Sequence, residues 1–255
     1  MIDIELGTEN QPEPGALAGR VILITGAGQG LGRAWAETAA AYGASVVLLD
    51  RSVPELEATY DAIEAADGPQ PAIYPMDLLG ASPEDHAALA TCLTDEFGRL
   101  DGVVHNAASL GKPAPLSQYD VESWYRTMQI NLNAAFLVTR YCLPLLQQAA
   151  SPRLIGVSDA AGREGMPFYG AYGVSKWALE GLLQTLVAEL PDNAGLRVAS
   201  VDPGPVRTAL RAEAYPVESP TELPNPSQLA ASLTCLLDPA FDVTQGGRYV
   251  VRQAD

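Results

Sequence analysis

The stretch Thr25-Gly26-Ala27-Gly28-Gln29-Gly30-Leu31-Gly32 constrains this chain more than any other. An apolar run, Val21-Ile22-Leu23-Ile24, leads into it and reads as a buried strand. Arg33-Ala34-Trp35-Ala36-Glu37-Thr38-Ala39-Ala40 leads out of it and reads as a helix with one apolar face. Glycines without a Cβ let backbone N–H groups approach a phosphate closely, and the positive end of the helix dipole favours that anion. The turn therefore predicts a bound dinucleotide cradled by Gly26, Gly28, Gln29, Gly30, Leu31 and Gly32. The spacing is T-G-x-x-x-G-x-G with Gly28 additional. Such a motif alone is weak evidence, and it gains its meaning from the strand before it and the helix after it. A second apolar run, Ser45-Val46-Val47-Leu48-Leu49, ends in Asp50, eighteen residues beyond Gly32. A carboxylate there accepts the ribose hydroxyls and repels a ribose 2′-phosphate, which favours NAD, with NADP as the alternative. Arg51 pulls the other way, either reaching a phosphate or lying solvent-exposed over the adenine.

Further apolar runs at 72–76, 101–105, 153–158, 196–201 and 248–251 alternate with helical patterns at 31–42, 54–66, 83–97, 118–149, 170–190 and 226–237. This alternation predicts an α/β chain: a single-domain Rossmann fold with a doubly wound parallel sheet of about seven strands and helices on both faces. A length of 255 residues suits one domain. Residues 1–18 are polar and acidic and contain Pro12 and Pro14, so a flexible arm is expected there, with the domain at 19–255. The Pro-rich stretch 215–226 cannot be a regular helix. With the residues from 207 onward it follows a strand end, where open α/β sheets bind ligands, and forms either a substrate lid or an ordinary long connection.

A net charge of −16 speaks against nucleic acid and anionic membranes as partners. No apolar run approaches the ~20 residues that cross a bilayer, and the acidic N-terminus has no signal-like apolar stretch, so a cytoplasmic location is expected. Cys92, Cys142 and Cys235 are odd in number and spaced like no metal site, and His86 and His105 lie far apart, so no metal is expected.

Tyr172-Gly173-Val174-Ser175-Lys176 is a second constellation. On a helix, positions i and i+4 share a face, so the tyrosine hydroxyl and the lysine ammonium point into one space. A nearby cation favours phenolate and lets such a tyrosine exchange a proton with a substrate oxygen. The alternative is an amphipathic helix with a snorkelling lysine, which the presence of only two lysines, Lys112 and Lys176, disfavours.

Over residues 19–252 the chain resembles the short-chain dehydrogenase/reductase family. The glycine turn and Tyr172-x-x-x-Lys176 match it, as does Asn131 in Ile130-Asn131-Leu132-Asn133. His105-Asn106-Ala107-Ala108 looks like the family's Asn-Ala-Gly motif, and Asp202-Pro203-Gly204-Pro205-Val206-Arg207-Thr208 like its Pro-Gly-x-x-x-Thr segment. Asp77, followed by Leu78, matches the acidic residue beside the adenine. The resemblance implies hydride transfer between a nicotinamide and a small carbonyl or alcohol substrate. Tyr172 would be the general acid/base, and Lys176 would bind the nicotinamide ribose and depress the tyrosine pKa. Asn131 would hold a water in a relay toward Lys176. Asn106 and Ala107 would shape the strand edge beneath the cofactor. Pro203, Gly204, Val206 and Thr208 would face the nicotinamide, with Val206 and Thr208 holding its carboxamide. Gln29 stands where NADP-dependent members often carry a cation. The family also implies a homodimer or homotetramer through the helices near 118–149 and 170–190.

One position departs from the pattern. Asp159 stands thirteen residues before Tyr172, where the family usually has a serine that donates to the substrate oxygen. An ionised carboxylate accepts only, and it opposes phenolate. Three readings are open: Ser158 takes the serine role, Asp159 works as a neutral donor or as a base toward an alcohol, or the site is catalytically impaired and the chain only binds a dinucleotide. Ser109, Leu110, Met166, Phe168 and Tyr169 are expected beside Asp159 and the 207–226 segment in the substrate pocket.

Overall fold

A computed structural model describes residues 3–191 and 194–252. Eight parallel strands form one sheet: β1 (Asp3–Gly7), β2 (Val21–Thr25), β3 (Ser45–Asp50), β4 (Ala72–Pro75), β5 (Gly102–His105), β6 (Arg153–Val157), β7 (Arg197–Asp202) and β8 (Gly247–Arg252). Their spatial order is β1-β8-β7-β6-β5-β2-β3-β4. The central strands are continuous apolar runs because both sheet faces are covered.

One face carries α1 (Gly30–Ala41), α2 (Val53–Ala65) and α8 (Pro226–Cys235), with Trp35, Leu56 and Leu233 in its core. The other carries α3 (Pro83–Phe97), α5 (Ala134–Leu146) and α6 (Gly170–Glu189), with Leu89, Val138 and Leu183. Two shorter helices, α4 (Val121–Met128) and α7 (Ala209–Ala214), flank the carboxyl end of the sheet.

From β2 the chain runs outward through β3 and β4, then returns to place β5 on the other side of β2. That reversal opens a crevice at the carboxyl ends of β2 and β5. Thr25 pins the two strand ends together. Its Oγ1 accepts from the backbone N–H groups of Asn106 and Ala107, each at 3.1 Å, and donates to the Val104 carbonyl at 3.2 Å.

Two expectations change. Residues 3–7 are not a loose arm but an edge strand, paired with β8 from Asp3 opposite Arg248 to Gly7 opposite Arg252. Leu6 and, further on, Leu17 are fully buried, and that apolar burial holds the segment down. The sheet therefore has one strand more than the seven apolar runs suggested. The helix expected over 118–149 is two helices, α4 and α5, joined by a wide π-helical turn at Gln129–Asn133. Such turns widen the backbone at functional positions, and this one holds Asn131. The 215–226 stretch holds a turn closed by the Glu218 N–H on the Tyr215 carbonyl and a tight turn at Pro220–Glu222, and its last residue opens α8.

Candidate active site

A cleft of about 420 Å³ opens at the carboxyl ends of β2, β3, β5, β6 and β7. Gly26, Gln29, Gly30 and Leu31 form its floor at one end, with Asp50, Arg51, Asp77 and Leu78 beside them. Asn106, Ala107, Ser158, Asp159, Tyr172 and Lys176 line the middle, and Pro203, Gly204, Val206 and Thr208 close the far side.

The glycine turn fits a dinucleotide phosphate on physical grounds. Gly26 and Gly30 have φ of 68° and 55°, which side chains resist. A Cβ on Gly26 would lie 2.9 Å from the Ala107 Cα. The first turn of α1 has no acidic residue, and its N-cap, Gln29, makes no side-chain cap, so its N–H groups face the cleft uncapped. Gly28 and Gly32 do not line the cleft. Gly28 donates its N–H to Asp50 Oδ2 at 3.2 Å, and Gly32 lets α1 close on the Gly26 carbonyl and Asn106 Nδ2.

Asp50 is less free than its position in sequence suggests. Its carboxylate accepts from the backbone of Gly28, of Arg51 at 2.7 Å and of Ser52 at 3.2 Å. Three N–H donors damp its charge toward the cleft, while the Arg51 side chain stands exposed at the rim.

Helix α6 carries Tyr172, Lys176 and Glu180 at four-residue intervals on one face, all buried. The Tyr172 hydroxyl donates to Asp159 Oδ2 at 2.9 Å, and Asp159 Oδ1 accepts from Ala161 N at 2.7 Å. Lys176 Nζ donates to the Val157 carbonyl at 2.6 Å and sits 5.5 Å from the centre of the Tyr172 ring. Burial lowers the Lys176 ammonium to about 8 against the pull of Asp159, Asp202 and Glu180. Burial also pushes the Tyr172 phenol well above its ordinary value, and the charge and hydrogen bond of Asp159 push it the same way. The push from Asp159 is the one expected of a carboxylate in the serine's place, and burial adds to it. Asp202 at the end of β7, to which the family resemblance gives no role, lies buried beside Asp159 and Lys176, its carboxyl raised chiefly by burial. Nothing in its local sequence signals this.

Ser158 Oγ is buried, lies close to Gly162, and has no hydrogen-bond partner among the described residues. It makes no bond to Tyr172, so the shift that would put Ser158 in the serine's place does not occur in this structure. Asn131 is outside the cleft wall and buried. Its amide donates to the Ser109 carbonyl at 3.0 Å and to Ser175 Oγ at 2.9 Å, and its Oδ1 accepts from Ser109 N at 2.7 Å. Both amide hydrogens brace the Ser109 loop against α6. His105, buried beneath, bonds Thr139 Oγ1 at 2.8 Å and is lowered to about 4 by burial.

The substrate end is apolar around Tyr172, with Leu110, Ala161, Met166 and Tyr169 packed together. Tyr169 donates to the Tyr215 hydroxyl at 2.6 Å, Arg211 stacks 3.7 Å over Tyr215, and its fork meets Glu218 at 2.6 Å. These contacts draw the 207–226 segment over the cleft. Phe168 turns away, more than half exposed. Arg126 and Glu213 also line the cleft; helical periodicity alone did not single them out.

The family model described as short chain dehydrogenase matches residues 20–218. The chain belongs to the short chain dehydrogenase family. The oxidoreductase YciK of Escherichia coli (strain K12), itself uncharacterized, is 41% identical over 219 residues, 86% of each chain. A short chain dehydrogenase from Pseudomonas syringae superposes with a TM-score of 0.92 at 41% identity, covering 95% of this chain and 98% of that one. One from Shigella flexneri 2a str. 301, solved in complex with NADP, superposes with a TM-score of 0.90 at 38% identity, covering 93% and 99%. This chain is therefore an oxidoreductase of that family, and the reading of it as an impaired dinucleotide binder finds no support. Nor does the preference for NAD over NADP, since the Shigella flexneri protein holds the phosphorylated form.

Proposed function

We propose that this enzyme is an NADP(H)-dependent oxidoreductase acting on the carbon of a small alcohol or carbonyl group. The observation that carries the reading is the Tyr172–Lys176 pair set beneath an uncapped glycine cradle. When bound, the dinucleotide supplies or accepts hydride at its nicotinamide. Tyr172 exchanges the substrate proton. Lys176 has spent one of its three N–H donors on Val157, and the other two serve the nicotinamide ribose. Gly26, Gln29, Gly30 and Leu31 hold the pyrophosphate, Asp77 and Leu78 flank the adenine, Asn106 and Ala107 support the cofactor from below, and Val206 and Thr208 face the carboxamide. Asn131 braces the Ser109 loop against α6 and holds a water in a relay toward Lys176.

The phosphorylated cofactor is favoured by the damped Asp50 carboxylate and by the exposed Arg51 guanidinium at the rim, a planar fork suited to a 2′-phosphate. Fluorescence titration should find NADPH bound more tightly than NADH. Arg51→Gln should then weaken NADPH at least tenfold and leave NADH nearly unchanged. Tighter NADH in the wild type would mean that Asp50 governs the choice after all.

Val121 and Tyr125 on α4, Phe136 on α5, which α4 enters through the π-helical turn, and Val174 and Trp177 on α6 are exposed apolar side chains. A homodimer or homotetramer through this surface follows, and sedimentation should show no monomer at micromolar concentration.

A further inference from the structure

The group beside Tyr172 can take a proton but, as a carboxylate, gives none. Tyr172 has one hydroxyl hydrogen, and it points at Asp159 Oδ2. Asp159 is itself anchored through Oδ1 by Ala161 N. A ketone oxygen entering this site needs a donor and finds the phenol hydrogen engaged. An alcohol brings its own hydrogen, and the lone pairs of Tyr172 Oη are available to accept it. The donors then all run one way, from alcohol to Tyr172 to Asp159, and end on an acceptor.

We infer that Asp159 is the terminal proton acceptor of this site, reached through Tyr172, and that its preferred substrate is a secondary alcohol taken in the oxidative direction. The inference rests on the hydride-transfer reading above. In the step, the carbinol C–H bond breaks and its hydrogen leaves with both electrons as hydride to an oxidised nicotinamide dinucleotide. The alcohol proton moves to Tyr172 Oη as the phenol proton moves to Asp159 Oδ2, and the C–O bond becomes C=O. Asp159 then releases one proton to solvent. Tyr172 begins and ends the step neutral, so no phenolate has to form.

The surrounding charges agree with a neutral tyrosine. Asp202 faces the pair from the end of β7, Tyr169 from the position just before α6, and Lys176 from α6 with Glu180 one turn beyond. Arg163 stands near Asp202 from the turn that follows Asp159, and Arg211 and Tyr215 bear on Tyr169 from the 207–226 segment. The one ammonium among them, Lys176, bonds the Val157 carbonyl and lies over the ring rather than at the phenol oxygen.

Two variants separate holding the tyrosine from taking its proton. Asp159→Asn keeps an oxygen that accepts from Tyr172 but cannot take the proton; Asp159→Ser restores a hydroxyl donor. The first measurement is an ultraviolet phenolate titration of the free protein, with Tyr172→Phe subtracted to isolate Tyr172. Tyr172 is expected to ionise at least one pH unit lower in both variants, and an unchanged titration overturns the pairing. The second is kcat/KM for cyclohexanol and a panel of secondary alcohols with NADP+ across pH. Wild type should hold its rate at neutral pH. Asp159→Asn should lose at least 100-fold at pH 7 and recover at alkaline pH, where phenolate forms. Asp159→Ser should gain ketone reduction relative to wild type. An Asp159→Asn profile that overlays wild type overturns the inference, and so does binding of the dinucleotide without oxidation of any alcohol in the panel. Failure to bind either dinucleotide overturns the hydride-transfer reading instead, and the phenolate titration still reports on the pair.

Discussion

Tyr172→Phe is expected to lower kcat by about 10³-fold, within the range for removing a positioned proton-transfer group, while leaving NADPH affinity within about twofold. The ring packs against Leu110 and Ala161 and lies 5.8 Å from the Tyr169 ring, and phenylalanine keeps those contacts. Only the hydroxyl is lost, and with it the sole link from Asp159 to a reacting oxygen. Asp159 keeps its bond from Ala161 N, so the turn at Ala160–Gly162 stays in place. A stopped-flow or steady-state assay with any alcohol the enzyme oxidises decides it. Retained turnover would remove Tyr172 from the chemistry.

Gly32→Ala should be the most damaging conservative change in the cradle. In a solvated helix this substitution stabilises by about 1 kcal/mol, because alanine is the better helix former. Here the new methyl would fall inside contact distance of the Gly26 carbonyl and Asn106 Nδ2. Asn106 Nδ2 is also the group that bonds the Thr25 and Gly26 carbonyls at 3.0 and 3.2 Å. The clash therefore strikes the joint between β2 and β5, and overpacking of this kind costs about 1–3 kcal/mol or more. We expect a loss of at least about 2 kcal/mol in urea unfolding together with loss of NADPH binding. Gly30→Ala is the control. Its Cβ would meet the Thr208 side chain at ordinary contact distance, Cγ2 at 3.4 Å and Cβ at 3.7 Å, so the fold should survive with the strain confined to the cradle. A Gly32→Ala protein as stable as wild type would show that α1 does not depend on this close approach.

These two residues also mark how far the sequence could be read. Gly32 was legible as part of a turn because strand, glycines and helix are contiguous, and contiguity is what local pattern encodes. Its actual function, letting α1 close on Asn106 from a distant strand, was not. Tyr172 and Lys176 were placed on one face by their spacing alone. That Lys176 would bond Val157, and Tyr172 would bond Asp159, depended on which groups β6 and its following turn bring near. Asp50 reads as a ribose ligand from its place at a strand end, but its backbone donors appear only once the Gly28 turn folds over it.

Local pattern alone sets the sheet's central strands, the two helix layers, the glycine cradle and the Tyr172–Lys176 face. Each of these follows from apolar periodicity, chain-local turn chemistry or a four-residue spacing, all of which act over a few neighbouring residues. The folded chain was needed to pair β1 with β8, far away in sequence, and to commit the Asn131 amide to Ser109 and Ser175. It also decided that Asp202 would lie buried against Asp159 and that Tyr172 would be pushed toward its neutral form. Sheet-edge pairing, desolvation and the choice of hydrogen-bond partner depend on groups remote in sequence, and no local pattern carries them.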